Sequence, residues 1–141
     1  SPETFETLGE NEVLVFPSNR SGIHGAGLAK LAVKHGAEYG VGFGERGQTF
    51  AIPTKGWKVD KLPVLRIHDG ANGIAHFVKM FIAEAKLNPE KTYLVSKIGC
   101  GLAGYTPEQI APLFLDAIEI ENIHLPKAFW DVLNKEFVFE L

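Results

Sequence analysis

Residues 92–110 read TYLVSKIGCGLAGYTPEQI and contain a strand, a glycine-rich turn and a helix start in direct succession. The β-branched and aromatic run TYLV at 92–95 is typical of a strand. The letters TPEQ at 106–109 predict a helix start, with threonine as the N-cap, proline at the first helical position and glutamine to complete a capping box. A strand that leads into a helix is the repeating unit of a parallel α/β sheet.

Other short runs on either side of this stretch predict further strands. Residues 13–16 (VLVF) and 49–52 (TFAI) are each followed by a proline, and their largely apolar character indicates strands buried on both faces. Residues 122–125 predict a fourth strand, and residues 137–139 (FVF) predict an edge strand.

Helical patterns separate these strands. The clearest lies within residues 72–87, where apolar side chains recur three and four positions apart until Asn88-Pro89 ends the pattern. Shorter patterns follow Leu28, extend over 107–118, and include Phe129. This alternation predicts one α/β domain over residues 1–141, with three layers (α/β/α) and a mostly parallel central sheet.

Composition limits the possible functions. The chain has 141 residues, a net charge of −3 and no block of lysine or arginine, which argues against binding duplex nucleic acid through its phosphates. The single cysteine, Cys100, excludes an intrachain disulfide and a cysteine-cluster zinc site, and the histidines have no metal-ligand spacing. We expect no metal, no cofactor and no membrane partner, and a cytoplasmic location.

Two glycine-rich loops follow predicted strands. Residues 99–105 (GCGLAGY) allow the backbone to approach a ligand without Cβ clashes, and the helix behind them directs N–H groups and a positive dipole end to the same space. Such a site suits a diphosphate. Residues 22–27 (GIHGAG) repeat the design before the first helix. Ligands bind beyond the carboxyl ends of parallel strands, so we expect the loops at 18–27, 53–57 and 96–106 on one rim.

Each glycine-rich loop also has a purely structural interpretation. The segment 99–105 could be a tight strand-to-helix turn without a ligand, and the glycines of 22–27 could serve only helix–strand packing. Residues 42–47 (GFGERG) match the dinucleotide pattern G-x-G-x-x-G, but they precede a strand instead of opening a helix. We interpret them as a mobile loop near the site.

Three sequence blocks resemble the macrodomain family: HGAGLAKL at 24–31, AIPTKG at 51–56 and IGCGLAGYTPE at 98–108. They are most similar to the branch that contains the terminal ADP-ribose protein glycohydrolase and the antitoxin that removes ADP-ribose from DNA. The chain also resembles small, uncharacterised phage-encoded proteins. The resemblance covers most of the chain in outline and is specific in these three blocks.

The resemblance implies a macrodomain-like fold with a cleft for ADP-ribose. Asn19 would orient the distal ribose, and Lys55 would act at its anomeric carbon, either by attack or by stabilising charge as the bond breaks. The loop 99–105 would hold the diphosphate, and the turn 25–27 would lie across from it. The implied ligand-binding residues are Gly25, Ala26, Gly27, Thr54, Gly99, Cys100, Gly101, Leu102, Ala103, Gly104 and Tyr105.

One residue departs from the family pattern. That branch places an acidic residue directly after Gly-Cys-Gly-Leu, whereas this chain has Ala103, so the general acid/base partner is missing there. Asp69 and Glu45 are possible substitutes. Glu10 and Glu12, upstream of the first strand, are candidates for the carboxylate that reads adenine, and the sequence does not decide between them.

Several other side chains have two readings. His24 could donate to a phosphate or act as an acid/base catalyst near pH 7, or it could be a surface turn residue. Cys100 could be a nucleophile activated at a helix N-terminus, or a small buried cysteine. Tyr105 could pack on the ligand or in the core. Lys55 has an ordinary solvated lysine as its alternative, and Trp57 could cover a ligand.

Three hypotheses of function follow. The first is an enzyme that removes ADP-ribose from a protein or nucleic-acid acceptor, or acts on ADP-ribose 1″-phosphate. The second is a non-catalytic binding module or sponge for an ADP-ribose-like small molecule, which Ala103 favours. The third is an interaction domain that kept the fold and lost the cleft.

Overall fold

A computed structural model describes residues 5–136 of the chain, and within them lie five strands and four α-helices. The strands are β1 (Glu12–Asn19), β2 (Gly44–Arg46), β3 (Thr49–Lys55), β4 (Thr92–Val95) and β5 (Ile123–His124). The helices are α1 (Gly27–Lys34), α2 (Ile74–Lys86), α3 (Pro107–Ile110) and α4 (Lys127–Glu136). The strand expected at 137–139 lies outside the described residues.

The strands form one sheet in the order β2-β3-β1-β4-β5. β3, β1, β4 and β5 run parallel to their neighbours, and only β2 is antiparallel. The predicted α/β class with a mostly parallel sheet is therefore confirmed. Because β3, β1 and β4 point the same way, the loops that leave their carboxyl ends emerge at one edge of the sheet.

The two faces of the sheet are covered by different elements. Alternate residues of β1 point to opposite faces: Val13 and Val15 belong to one apolar cluster, and Leu14 and Phe16 to the other. The first cluster contains α2, α3, the segment after α3 and α4, whereas the second contains α1 and Phe5. The result is a three-layer α/β/α arrangement.

The helix expected over 107–118 changes type in the middle. The capping box between Thr106 and Gln109 is present, but α3 ends at Ile110 and Ala111–Ala117 form a 3₁₀ helix. Pro112 lacks the N–H that an α-helix would bond to the carbonyl four residues before it, so the α-helical pattern cannot continue.

Residues 42–47 do not form a mobile loop, so that interpretation is wrong. Gly44–Arg46 form the edge strand β2, and Glu45 pairs opposite Phe50 near the start of β3. The Phe43 ring meets the Phe50 ring edge-on, with the centroids 5.3 Å apart. Aromatic burial therefore holds this segment to the sheet.

A polar cluster lies near the amino ends of the parallel strands. The Tyr93 hydroxyl donates to Glu45 Oε1 at 2.9 Å, and Lys91 forms an ion pair with the other oxygen of the same carboxylate. Burial raises the pKa of Tyr93, and the hydrogen bond to Glu45 raises it further. Glu45 is thus a structural residue of this end of the sheet.

We expect the stability difference between the wild-type protein and Tyr93→Phe to shrink above about pH 10. The folded state keeps the Tyr93 proton at pH values where the unfolded chain, with its ordinary pKa near 10, has lost it. The contribution of Tyr93 is therefore complete below about pH 10 and falls by about 1.4 kcal/mol per pH unit above it. Urea unfolding of both proteins between pH 7 and 11 measures this effect, and a difference independent of pH would contradict it.

Candidate functional site

A cleft of about 940 Å³ opens at the carboxyl edge of the sheet. The loops after β1, β3 and β4 all contribute to its walls, together with the start of α4 and Phe5 from the N-terminal segment. Gly25 and Gly101, from the two glycine-rich loops, both line it. The three loops thus share one rim, as expected from parallel strands.

Most of the predicted site residues line this cleft, and three do not. The lining residues among them are Asn19, Gly25, Ala26, Gly27, Thr54, Lys55, Gly99, Cys100, Gly101, Leu102 and Ala103. His24, Gly104 and Tyr105 lie outside the lining.

The loop between β1 and α1 is braced by Asn19. The Asn19 amide accepts a hydrogen bond from the Ile23 N–H at 3.0 Å and donates one to the Ile23 carbonyl at 2.9 Å. These two bonds imitate a backbone pair and close the loop. The predicted role of Asn19 at a ribose would therefore come in addition to this structural role.

The glycines of the first loop serve two different purposes. A Cβ on Gly22 would lie 2.4 Å from the Val41 nitrogen, so this glycine is needed for packing. A Cβ on Gly25 or Gly27 would meet nothing within 4 Å, although Gly27 has a φ of +58° that favours glycine. Packing within the protein explains Gly22 and leaves Gly25 unexplained.

The second glycine-rich loop divides in the same way. Gly99 has a φ of +77°, and a Cβ there would lie 3.0 Å from Ile110 Cδ1; Gly104 has a φ of +86°. These two glycines are required by the turn itself. Gly101 has no positive φ, and a Cβ on it would meet nothing within 4 Å. The turn alone therefore does not explain Gly101, which faces open space in the cleft.

The two helices behind these loops differ at their N-termini. α3 has only four residues, and Thr106 Oγ1 already accepts the Gln109 N–H at 3.3 Å, so the helix dipole expected behind residues 99–105 is weak. No side chain caps α1, whose first residues Gly27 and Leu28 line the cleft. The start of α1, where the first amides of a helix have no partner within the helix, therefore lies at the wall of the cleft.

His24 is a core residue, and both sequence-based readings of it are wrong. Its side chain is fully buried, and Nε2 lies 2.9 Å from the Glu38 carbonyl oxygen. The ring contacts Phe16 edge-on and packs against Tyr39, and Nδ1 has no partner. His24 therefore anchors the loop at residues 22–27 to the protein core.

Tyr105 and Trp57 also do not cover the cleft. The Tyr105 hydroxyl donates to the Leu65 carbonyl at 2.6 Å while its ring packs on the core, in agreement with the core alternative. Trp57 is stacked by the Arg20 guanidinium, 5.2 Å from the ring centroid. Both aromatic side chains hold rim loops in place.

Cys100 lines the cleft without the features of a nucleophile. Burial raises the pKa of its thiol, and Glu108 adds to this rise, whereas Lys97 acts in the opposite direction. A thiol with a raised pKa remains protonated near neutral pH and reacts slowly. The alternative of a small buried cysteine holds in part, because Cys100 is half-buried and also lines the cleft.

Charge is unevenly distributed in the cleft. Three lysines line it, Lys55 at the end of β3, Lys97 after β4 and Lys127 at the start of α4. One carboxylate, Asp131, also lines it and pairs with Lys127 at 3.1 Å. Lys97, Lys127 and Asp131 were missed by sequence reasoning. Lys97 and Lys127 could have been found, because each closely follows a strand of the parallel sheet. Asp131 lies one turn into α4, and only the folded structure shows that it reaches the cleft.

The acidic residues suggested as substitutes for the missing acid lie elsewhere. Glu45 is bound to Tyr93 and Lys91, and Asp69 sits in an exposed turn with Ala71. Glu12 accepts the Gly9 N–H at the amino end of β1. None of these carboxylates lines the cleft.

Comparisons with protein-family models, with curated proteins and with solved structures find no match. Among residues 5–136, no helix has the length and apolar character required to cross a membrane. The same part of the chain holds no group of three or more histidine, cysteine, aspartate or glutamate residues arranged to bind a metal ion.

We expect Asn19→Ala to lower the free energy of unfolding by about 1–3 kcal/mol, because the Ile23 N–H and carbonyl lose their partners. Urea denaturation measures this loss. Lys30→Ala, on the exposed side of α1, is the control and should change stability by less than about 0.5 kcal/mol. Equal stability of both variants would show that the Asn19 bonds do not brace the loop.

Proposed function

We propose that this protein binds ADP-ribose or a related ADP-ribosyl nucleotide in the cleft. The observation that carries the proposal is that Gly25 and Gly101, which neither turn geometry nor packing explains, face the same cavity from two different loops. Glycines at such positions let backbone amides approach a ligand closely.

The size and shape of the cleft support a nucleotide-sized ligand. Its volume of about 940 Å³ is at the upper end of the range for small-molecule sites. It extends from Lys55 on β3, across β1 and β4, to Lys127 near β5. Three inter-strand spacings correspond to about 14 Å, so an elongated ligand with a diphosphate in its middle fits this direction.

The charge in the cleft supports an anionic ligand. Three lysines against one carboxylate give the lining a positive balance, although the whole chain has a net charge of −3. The amides at the uncapped start of α1 add partial positive charge beside Gly27. Together these groups complement a diphosphate.

Lys55 is the candidate catalytic group for an enzyme that cleaves an ADP-ribosyl linkage or removes a 1″-phosphate. It lies opposite Asn19 in the parallel pair of β1 and β3, which brings both to one end of the cleft. Its ammonium could stabilise the developing charge, or its amine could attack the anomeric carbon. Either route also needs a group that transfers a proton.

A non-catalytic binding module is the second candidate, and the position of the acidic groups favours it. Ala103 lines the cleft, and it stands at the sequence position where the enzymes that this chain resembles carry an acid. The carboxylate that does line the cleft, Asp131, belongs to α4 at the far end from Lys55. Binding without hydrolysis agrees with this separation.

We expect ADP-ribose to raise the melting temperature of the protein, because a ligand at 100 times its Kd stabilises the folded state by about 2.7 kcal/mol.

Gly101→Val should keep the fold, because a Cβ at this position has open space, but it should lower ADP-ribose affinity at least about tenfold by filling the approach to the loop. Ala83→Val, on the exposed side of α2, is the matched control. Calorimetry measures the ADP-ribose affinity of the wild type and of both variants. A wild-type protein that binds neither ADP-ribose nor its 1″-phosphate would reject the proposal.

Turnover distinguishes the two candidates. The protein is incubated with an ADP-ribosylated peptide, an ADP-ribosylated oligonucleotide or ADP-ribose 1″-phosphate, and mass spectrometry detects the product. If the protein is an enzyme, product should form from at least one of them, and Lys55→Met should reduce the rate by about 10²-fold or more. Lys30→Met is the control, because Lys30 is exposed and lies outside the cleft. Binding without product at high protein concentration would establish the binding module.

A further inference from the structure

The segment after Lys55 folds back on β3 and returns to the cleft. The Gly56 N–H donates to the Pro63 carbonyl at 2.7 Å, and Lys55 forms an antiparallel bridge with Val64. This pairing places Leu62 opposite Trp57, and both Leu62 and Lys55 line the cleft. The sequence pattern did not single out Leu62.

The backbone at this point adopts an unfavourable conformation. Lys61 and Leu62 have φ values of 64° and 52°, and they are the non-glycine residues with positive φ within residues 5–136. Consecutive left-handed residues are normally asparagine or glycine, because a Cβ crowds the following carbonyl. Here the Leu62 N–H still donates to the Trp57 carbonyl at 2.9 Å, so the turn is closed despite the crowding.

Contacts between residues 57–58 and the loop after β1 hold the strained turn in this conformation. The Lys58 N–H donates to Ser21 Oγ at 2.7 Å. The Arg20 guanidinium lies 5.2 Å from the Trp57 ring centroid and 5.1 Å from that of Phe77. These contacts tie the segment to the loop that carries Asn19, so the strained turn is imposed from outside.

The strained turn therefore puts an apolar residue, Leu62, into the wall of the cleft that Lys55 also lines. Leu62 is only half-buried, so burial in the protein core does not account for it. Strained residues of this kind are concentrated at ligand clamps. A ligand that contacts both Leu62 and Lys55 would lose water on its apolar side, which strengthens the field of the ammonium.

We propose that Leu62 is a specificity-determining residue that packs on the distal ribose of an ADP-ribosyl ligand at the Lys55 end of the cleft. This inference rests on the proposed function and adds a contact to it. ADP ends at the diphosphate and lacks that ribose. Leu62 should therefore contribute to ADP-ribose affinity and contribute little to ADP affinity.

Calorimetry with ADP-ribose and with ADP tests this proposal on three proteins: the wild type, Leu62→Gly and Lys61→Gly. Leu62→Gly should weaken ADP-ribose about tenfold, as expected when part of a leucine side chain is no longer buried, and change ADP affinity less than about twofold. Lys61→Gly relieves the same backbone strain without changing the cleft, so both affinities should stay at wild-type values.

Thermal unfolding of the free proteins tests the strain separately. Lys61→Gly should raise the melting temperature by about 3 °C because glycine tolerates positive φ. Leu62→Gly also loses side-chain packing, so its melting temperature should remain within about 3 °C of the wild type.

Each outcome has a separate meaning. If Leu62→Gly binds ADP-ribose as tightly as the wild type, or loses both ligands equally, the Leu62 proposal is overturned while the proposed function stands. If Lys61→Gly weakens ADP-ribose as much as Leu62→Gly, the backbone and not the side chain is responsible, and the proposal is again overturned. A wild-type protein that binds neither ligand overturns the proposed function first, and the role of Leu62 with it.

Discussion

The parallel pairing of β1 with both of its neighbours is the constraint on which the rest of the structure depends. Val15 stands opposite Phe50 of β3 on one side and Val95 of β4 on the other. Strands paired in this way must be connected by crossovers, so the loops that follow them all emerge at the same edge. Gly25 and Gly101, far apart in sequence, become neighbours of one cleft for this reason alone.

The two ends of the sheet have separate roles. At the amino end, Glu45, Lys91 and Tyr93 satisfy one another and close the apolar layer. At the carboxyl end, glycines replace side chains and lysines surround an open space. A change in the polar cluster at the amino end can therefore alter stability without altering a residue that lines the cleft.

Local sequence patterns predicted the strands and helices more accurately than the residues of the cleft. The runs at 13–16, 49–52 and 92–95 and the capping box at Thr106 appear where expected, because strand propensity and capping act within a few residues. The burial of His24 between Phe16 and Tyr39 depends on residues outside its own loop, so the local sequence does not predict it. Leu62 was missed for the same reason, since only the folded backbone reveals its positive φ.

Both outer strands of the sheet that residues 5–136 form are very short. β2 has three residues and pairs antiparallel with β3, and β5 has two. An outer strand is where another chain can add by backbone hydrogen bonding, and a long, flat one promotes aggregation. With so few free amides and carbonyls on β2 and β5, a second molecule gains few backbone hydrogen bonds by pairing with either of these two strands.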